Sequence, residues 1–263
     1  YWDMSVNGYT YANKMLNLPD EYKVSGMPNG NQRIYEGKDI YRWEMRQFAG
    51  LDEKGNSLWY MDRDLTDGEG NVVGVEKVTT GDATEATQYL LEKSALPDFT
   101  GGLNTTLRWK SLDLTIMTNF QFGGYGYDYD FSAFSSANFP MNRLKNYADA
   151  WNPETGKGSA PIWNTNDSNI NASSDRFLIS KTYFNLRNIT LGYTFPANWM
   201  SKIGIKSVRV YFACDNVFFA SKRKGYDPRT SMGGQGATVA LNSVDGTYYS
   251  PIRTTSVGLN INF

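Results

Sequence analysis

Side-chain polarity in this chain alternates residue by residue, and that period of two constrains the fold more than any other feature. In the last segment Val257, Leu259, Ile261 and Phe263 share one face, with Ser256, Gly258, Asn260 and Asn262 on the other. Ile189, Leu191, Tyr193 and Phe195 alternate with Asn188, Thr190, Gly192 and Thr194. Val208, Val210, Phe212 and Cys214 alternate with Arg209, Tyr211, Ala213 and Asp215. The runs Leu103, Thr105, Leu107, Trp109 and Leu112, Leu114, Ile116, Thr118, Phe120, Phe122 obey the same rule. Helical spacing is scarce and falls in one long connection, at Tyr129 to Phe134 and Asn142 to Trp151. The pattern predicts an all-β fold.

Alternation does not say which way the apolar face looks. In a soluble sandwich it is the core and the polar face meets water. In a transmembrane barrel it faces lipid, and the polar side chains line a wet lumen. Two features favour the barrel. Aromatics sit at strand ends (Trp109, Phe120, Phe122, Tyr193, Phe195, Phe218, Phe219, Phe263), where interfacial girdles belong. Short links also alternate with long ones.

Seven strands fit: 2–15, 38–50, 98–109, 112–124, 183–195, 206–219 and 251–263. Lys110-Ser111 is a tight turn and 196–205 a short link, while 51–97, 125–182 and 220–250 are long and rich in Gly, Asn, Asp, Ser and Tyr. With Phe263 at the periplasmic rim the three long links become extracellular; the stretch 16–37 is the exception, too long for the short-turn side. Single-chain bacterial barrels use an even number of strands, eight or more, so seven would leave two open edges. The expectation is therefore the C-terminal part, about seven antiparallel strands, of a larger transmembrane β-barrel.

Composition removes most other classes. The chain has no histidine and one cysteine, which excludes His-based triads, His zinc sites, a disulfide framework and multi-Cys metal sites. A net charge of −1 supplies no field for nucleic acid. Mean hydropathy is −0.51 and no run approaches the ~18–20 apolar residues of a membrane helix, which leaves barrel strands of ~9–11 residues open. The chain starts at Tyr1 with neither an initiator Met nor a signal-like segment, and reads as a mature form or a fragment.

A series of short motifs adds to this. Arg33-Ile34-Tyr35-Glu36-Gly37-Lys38-Asp39-Ile40-Tyr41 is followed by Ala49-Gly50-Leu51-Asp52, Gly55 and Leu58-Trp59-Tyr60. Next come Pro97-Asp98-Phe99-Thr100-Gly101-Gly102-Leu103 and Leu186-Arg187-Asn188-Ile189-Thr190-Leu191-Gly192-Tyr193. Val208-Arg209-Val210-Tyr211, Asp215-Asn216-Val217-Phe218, Gly225-Tyr226-Asp227-Pro228 and Pro251-Ile252-Arg253-Thr254-Thr255 complete it, before the terminal Asn262-Phe263. In this order they resemble the C-terminal barrel region of SusC/RagA-type TonB-dependent outer-membrane transporters, over nearly the whole chain. The family's signal, TonB-contacting segment and plug have no counterpart here. The resemblance implies roughly the last third of a 22-stranded barrel in the cell outer membrane. It implies an importer of large nutrients, oligosaccharides or peptides, with a SusD-like surface lipoprotein as lid and energy delivered by TonB through the plug.

Candidate sites lie in the outer loops. Trp59, Tyr60, Tyr125, Tyr127, Tyr129, Trp151 and Trp163 sit among Asn and Asp, a mixture suited to sugar faces and hydroxyls or to a lid protein; packing within the loops or on the barrel rim is the plainer reading for any one of them. Asp62, Asp64, Asp67 and Glu69 offer oxygens that calcium could take, but without EF-hand spacing; a solvated Asp/Gly turn is the plainer reading. Asp128 and Asp130 raise the same question. Otherwise no cofactor and no catalytic residue is expected. Arg108, Asp113, Arg187 and Arg209 read as paired charges on the lumen wall, and Cys214 as a small hydrophobe. Phe263 ends the last strand as an outer-membrane assembly signal does. The alternatives are a soluble glycan-binding β-sandwich and, behind it, a secreted glycosidase.

Overall fold

A computed structural model describes residues 1–135, 145, 149–164, 167, 169–170, 172–222 and 252–263. The first strands are β1 (Trp2–Tyr9), β2 (Met27–Asn29), β3 (Gln32–Ile34), β4 (Arg42–Arg46) and β5 (Phe48–Leu51). Then come β6 (Ser57–Thr66), β7 (Val72–Thr80), β8 (Gln88–Ser94), β9 (Phe99–Trp109) and β10 (Leu112–Phe122). The rest are β11 (Tyr125–Tyr127), β12 (Leu178–Ser180), β13 (Tyr183–Thr194), β14 (Ser207–Ser221) and β15 (Thr254–Asn262), with short helices α1 (Tyr129–Phe134) and α2 (Ala197–Met200).

The principal sheet runs β1-β9-β10-β13-β14-β15, antiparallel throughout. Six of the seven expected strands are in it. The segment 38–50 is not: it divides into β4 and β5, which belong to the small sheets β2-β3-β4-β8 and β5-β6-β7. Its Trp43 and Met45 are buried under other loops, with Tyr41 packed partly buried against them, so its alternation reports a water-excluded core instead of a lipid face. Because β1 pairs directly with β9, everything from residue 10 to 98 is one excursion at the long-loop end. The stretch 16–37 thereby stops being an exception. Links of two and twelve residues, 110–111 and 195–206, lie at one end, and all long connections lie at the other. The link 220–250 falls almost wholly outside the described residues.

Register fixes the faces. Directly paired residues point the same way, and the row Met4, Thr105, Ile116, Ile189, Cys214, Thr255 crosses all six strands. So does Trp2, Leu107, Leu114, Leu191, Phe212, Val257. The register shifts at Leu186/Asn188, where Asn216 on β14 takes a left-handed φ of 51°. Beyond that bulge Phe218 returns to the apolar face beside Leu186, whereas Phe219 turns inward and stacks on Tyr183 at 5.8 Å. Phe219 therefore leaves the outer girdle expected for it: it keeps the inward parity of Arg209, Tyr211, Ala213 and Asp215, and as the neighbour of Phe218 it must point to the opposite face.

Among the described residues no second layer covers the apolar face. Leu191, Val210 and Ile261 retain 46%, 37% and 41% of their surface. Of the buried hydrophobic residues among those described, only Tyr183 lies in the six strands, and the others belong to the loops. A soluble sandwich would bury this face as its core, so that alternative fails. Phe99, Phe120, Phe122, Phe184 and Phe218 mark the long-loop end of the face, and Trp109, Tyr193 and Phe195 the other. From Leu112 to Phe120 the strand climbs about 27 Å at ~3.4 Å per residue. A tilt of ~40° makes that about 21 Å of height, close to the ~25 Å apolar band of outer-membrane barrels. Strands of 11 and 12 residues (β9, β10, β13) are long enough to cross.

On the opposite face the wall is amide, hydroxyl and a few charges. Asn185 donates to Asn119 at 2.9 Å, and Thr106 and Thr115 hydroxyls meet at 3.2 Å. Arg209 reaches from β14 across β13 to bind both oxygens of Asp113 on β10, at 3.0 and 2.5 Å. Gly192 makes room for this crossing: a Cβ there would stand 2.6 Å from Asp113 Oδ1 and closer still to Arg209 Nη2. Gly192→Ala is therefore expected to break the bidentate pair and cost the folded barrel about 1–3 kcal/mol. In an Arg209→Ala background the same glycine change should cost almost nothing. Equal costs in both backgrounds, measured by urea unfolding in vesicles, would refute the crossing. Arg187 sits exposed at the bulge, and Cys214 lies on the apolar face.

Candidate functional site: an outer cap above a polar lumen wall

The excursion 10–98 and the described residues of the connection 123–182 fold together above the long-loop end of the sheet. Trp43, Met45, Leu91 and Ala95 from the first pack with Tyr127, Phe177 and Leu178 from the second. Trp43 Nε1 donates to the Tyr125 carbonyl at 3.1 Å, and Phe48 N donates to Asp175 Oδ1 at 2.9 Å. Ile162 N donates to the Gly55 carbonyl at 2.9 Å. These are ordinary buried apolar contacts with satisfied backbone, driven by water. The loops are a built cap.

The cap sorts the seven aromatic candidates. Trp59 is fully buried, edge-on to Phe48 at 5.4 Å and packed on Ala83 and Ala86. Tyr127 is buried against Phe177 and Tyr129, and its hydroxyl shares a hydrogen bond with Ser132 at 3.1 Å. Both hold the cap together. Trp151 lies over Gly55, where a Cβ would stand 2.5 Å from the ring, and so pins residues 149–163 to the β5–β6 turn. Tyr125 is half-buried with Lys93 Nζ 5.3 Å from its ring. Tyr129 and Trp163 are each 44% exposed and present the most ring surface to an incoming molecule. Tyr129 opens α1, which Asp128 caps by accepting from Phe131 N at 2.9 Å. That helix is the first of the two that the spacing predicts; the second, 142–151, lies mostly outside the described residues.

Tyr60 belongs to a latch that sequence alone does not expose. Lys77 Nζ stands 4.3 Å from the Tyr60 ring and 4.4 Å from the Tyr89 ring, and donates to Gln47 Oε1 at 2.7 Å. The Tyr89 hydroxyl donates to Asp62 Oδ1 at 2.5 Å. Burial, then this bond to a carboxylate, pushes the Tyr89 phenol up to about 12. The pairing Asp62↔Lys77 brings the group together, and no local motif announces it.

The acidic run does not converge. Asp62 serves Tyr89, while Asp67 accepts from the backbone of Asn71 and Glu69, at 2.9 Å each, closing the β6–β7 turn. The Asn71 hydrogen bonds hold the Asp67 carboxyl below its usual range. Among the described residues no group of three or more His, Cys, Asp or Glu is placed to hold a metal. Lys181, at the mouth of the lumen, donates to the Ala95 carbonyl at 3.3 Å, and burial lowers its pKa.

No family model matches the chain. It is 24% identical over 283 residues to "TonB-dependent receptor P3" of Formosa agariphila, covering 100% of this chain and 27% of the relative. Against "TonB-dependent receptor SusC" of Bacteroides thetaiotaomicron it is 24% identical over 269 residues, covering 100% of this chain and 24% of the relative. It thus spans about a quarter of the length of these curated relatives. Among solved structures, "Structure of the RagAB peptide transporter" superposes with a TM-score of 0.75 at 24% identity, over 100% of this chain and 27% of that one. By sequence likeness over its whole length and by fold, the chain is a piece of outer-membrane β-barrel similar to the barrels of SusC/RagA-type TonB-dependent transporters.

Proposed function

We propose that the chain supplies part of the wall and the outer cap of an active importer of large nutrients, energised through TonB and working with a SusD-like surface lipoprotein. The observation that carries this is the union of a polar lumen wall, a lipid-exposed apolar face and a folded cap in one stretch similar throughout to TonB-dependent receptors. The cap's exposed rings, Tyr129 and Trp163, support a role in contacting cargo or lid. Likeness to RagAB, a peptide transporter, supports peptides as cargo, and the exposed faces of Tyr129 and Trp163, suited to the apolar faces of sugars, support oligosaccharides. No catalytic role is assigned to any residue.

The test is genetic. A strain lacking the full-length polypeptide, and a strain lacking TonB, are grown on protein digests and on mixed oligosaccharides as sole carbon source. Both strains should fail on the same cargo class. Normal growth of the deletion strain on every cargo, or a defect that TonB loss does not share, would refute the proposal.

A further inference from the structure

Charge is distributed unequally between the two ends of the barrel segment. The excursion 10–98 carries sixteen Asp and Glu against ten Lys and Arg, a net of −6. At the other end, the links 110–111 and 195–206 contain no acid, and the acids in the adjoining strand ends are Asp3 on β1 and Asp113 on β10. The two links carry Lys110, Lys202 and Lys206. The two links are neighbours, because β10 pairs with β13 and Thr194 N donates to the Ser111 carbonyl at 2.8 Å. Lys202 and Lys206 are exposed, and none of the three lysines is in an ion pair among the described residues. The nearest carboxylate in sequence, Asp113, gives both oxygens to Arg209.

Two tryptophans accompany these cations. Trp109 is 64% exposed at the foot of the lipid-facing surface, and Lys110 Nζ stands 5.0 Å from its ring. Trp199 in α2 is 59% exposed on the adjacent link. Exposed indoles beside ammonium groups without a carboxylate partner, continuous with an apolar face, match a membrane interface: rings at the level of the acyl carbonyls, cations at the phosphates.

We infer that this rim is a binding surface for anionic phospholipid of the periplasmic leaflet. Lys110, Lys202 and Lys206 take the headgroup phosphates, and Trp109 and Trp199 seat in the same leaflet. The inference rests on the barrel reading and on short turns facing the periplasm. It goes beyond that reading in assigning lipid selectivity to named side chains.

The test uses the full-length polypeptide in nanodiscs of equal phosphatidylethanolamine and phosphatidylglycerol, with the lipid held closest to the protein quantified by mass spectrometry. The parent should enrich phosphatidylglycerol. Lys110→Gln, Lys202→Gln and Lys206→Gln together should reduce that enrichment by about fivefold or more. The same charge removed from the cap by Lys14→Gln, Lys23→Gln and Lys54→Gln should leave it unchanged. Unchanged enrichment in the rim variant overturns the inference, as does equal loss in the cap variant, which would mark a bulk charge effect. Loss of enrichment in millimolar inorganic phosphate also overturns it, because the site would then recognise the bare anion. A heat-shifted band on gels checks the barrel separately. With the band present and the lipid ratio flat, the inference alone fails; with no band, the barrel reading fails with it.

Discussion

Replacing Ile189 by Arg is expected to cost the inserted barrel about 2–4 kcal/mol, while the same change at the adjacent Thr190 costs under about 1 kcal/mol. The two side chains lie on one strand and point to opposite sides of the sheet. Ile189 sits midway between the aromatic girdles in the row with Ile116 and Cys214, so a guanidinium there meets hydrocarbon. Thr190 pairs with Thr115 and Ala213 on the lumen wall, where an added cation stays wet. Folding into vesicles over a urea series gives both values. Equal costs would mean that the sheet has no lipid side, and the placement of every strand would fall with it.

Trp59→Ala is expected to remove about 3–5 kcal/mol from the cap and leave the strands intact. Trp59 is the largest fully buried side chain among the described residues, and its contacts, Phe48, Ala83, Ala86 and Ala172, all come from the loops. A protease should therefore cut the variant between residues 48 and 98 at least tenfold faster than the parent, with the heat-shifted barrel band unchanged. Loss of that band would show that cap and barrel fold as one unit. Resistance equal to the parent's would show that Trp59 does not hold the cap.

The strands are legible in the sequence because lipid and lumen impose opposite demands on alternate residues, and β9, β10, β13, β14 and β15 keep that rhythm with few lapses. What misleads is 38–50. A strand that buries apolar side chains in a loop core has the same period as one that faces lipid, and only pairing partners separate them. The bulge defeats simple counting on β13, where the even-numbered Phe184 and Leu186 share the lipid face with the odd-numbered Ile189 and Leu191. In the cap, aromatic content points to the right loops but does not divide anchors such as Trp59 and Tyr127 from exposed rings such as Tyr129. That division depends on contacts between segments as far as 142 residues apart, as when Ser173 reaches Asn31. The Lys77 latch is likewise a product of strand pairing, invisible along the chain; the lysines of the cationic rim can be read in the sequence, but only pairing sets their two links side by side.

The two outermost ribbons, β1 and β15, each have a neighbour on one flank only, among the described residues. Along their other flank, amide and carbonyl groups face outward at every second position, and hydrocarbon offers them nothing. Each such group left bare costs several kcal/mol, more than the side chains beside it recover. Insertion must then be concerted: the strands that abut these flanks enter the bilayer together with them, or none does.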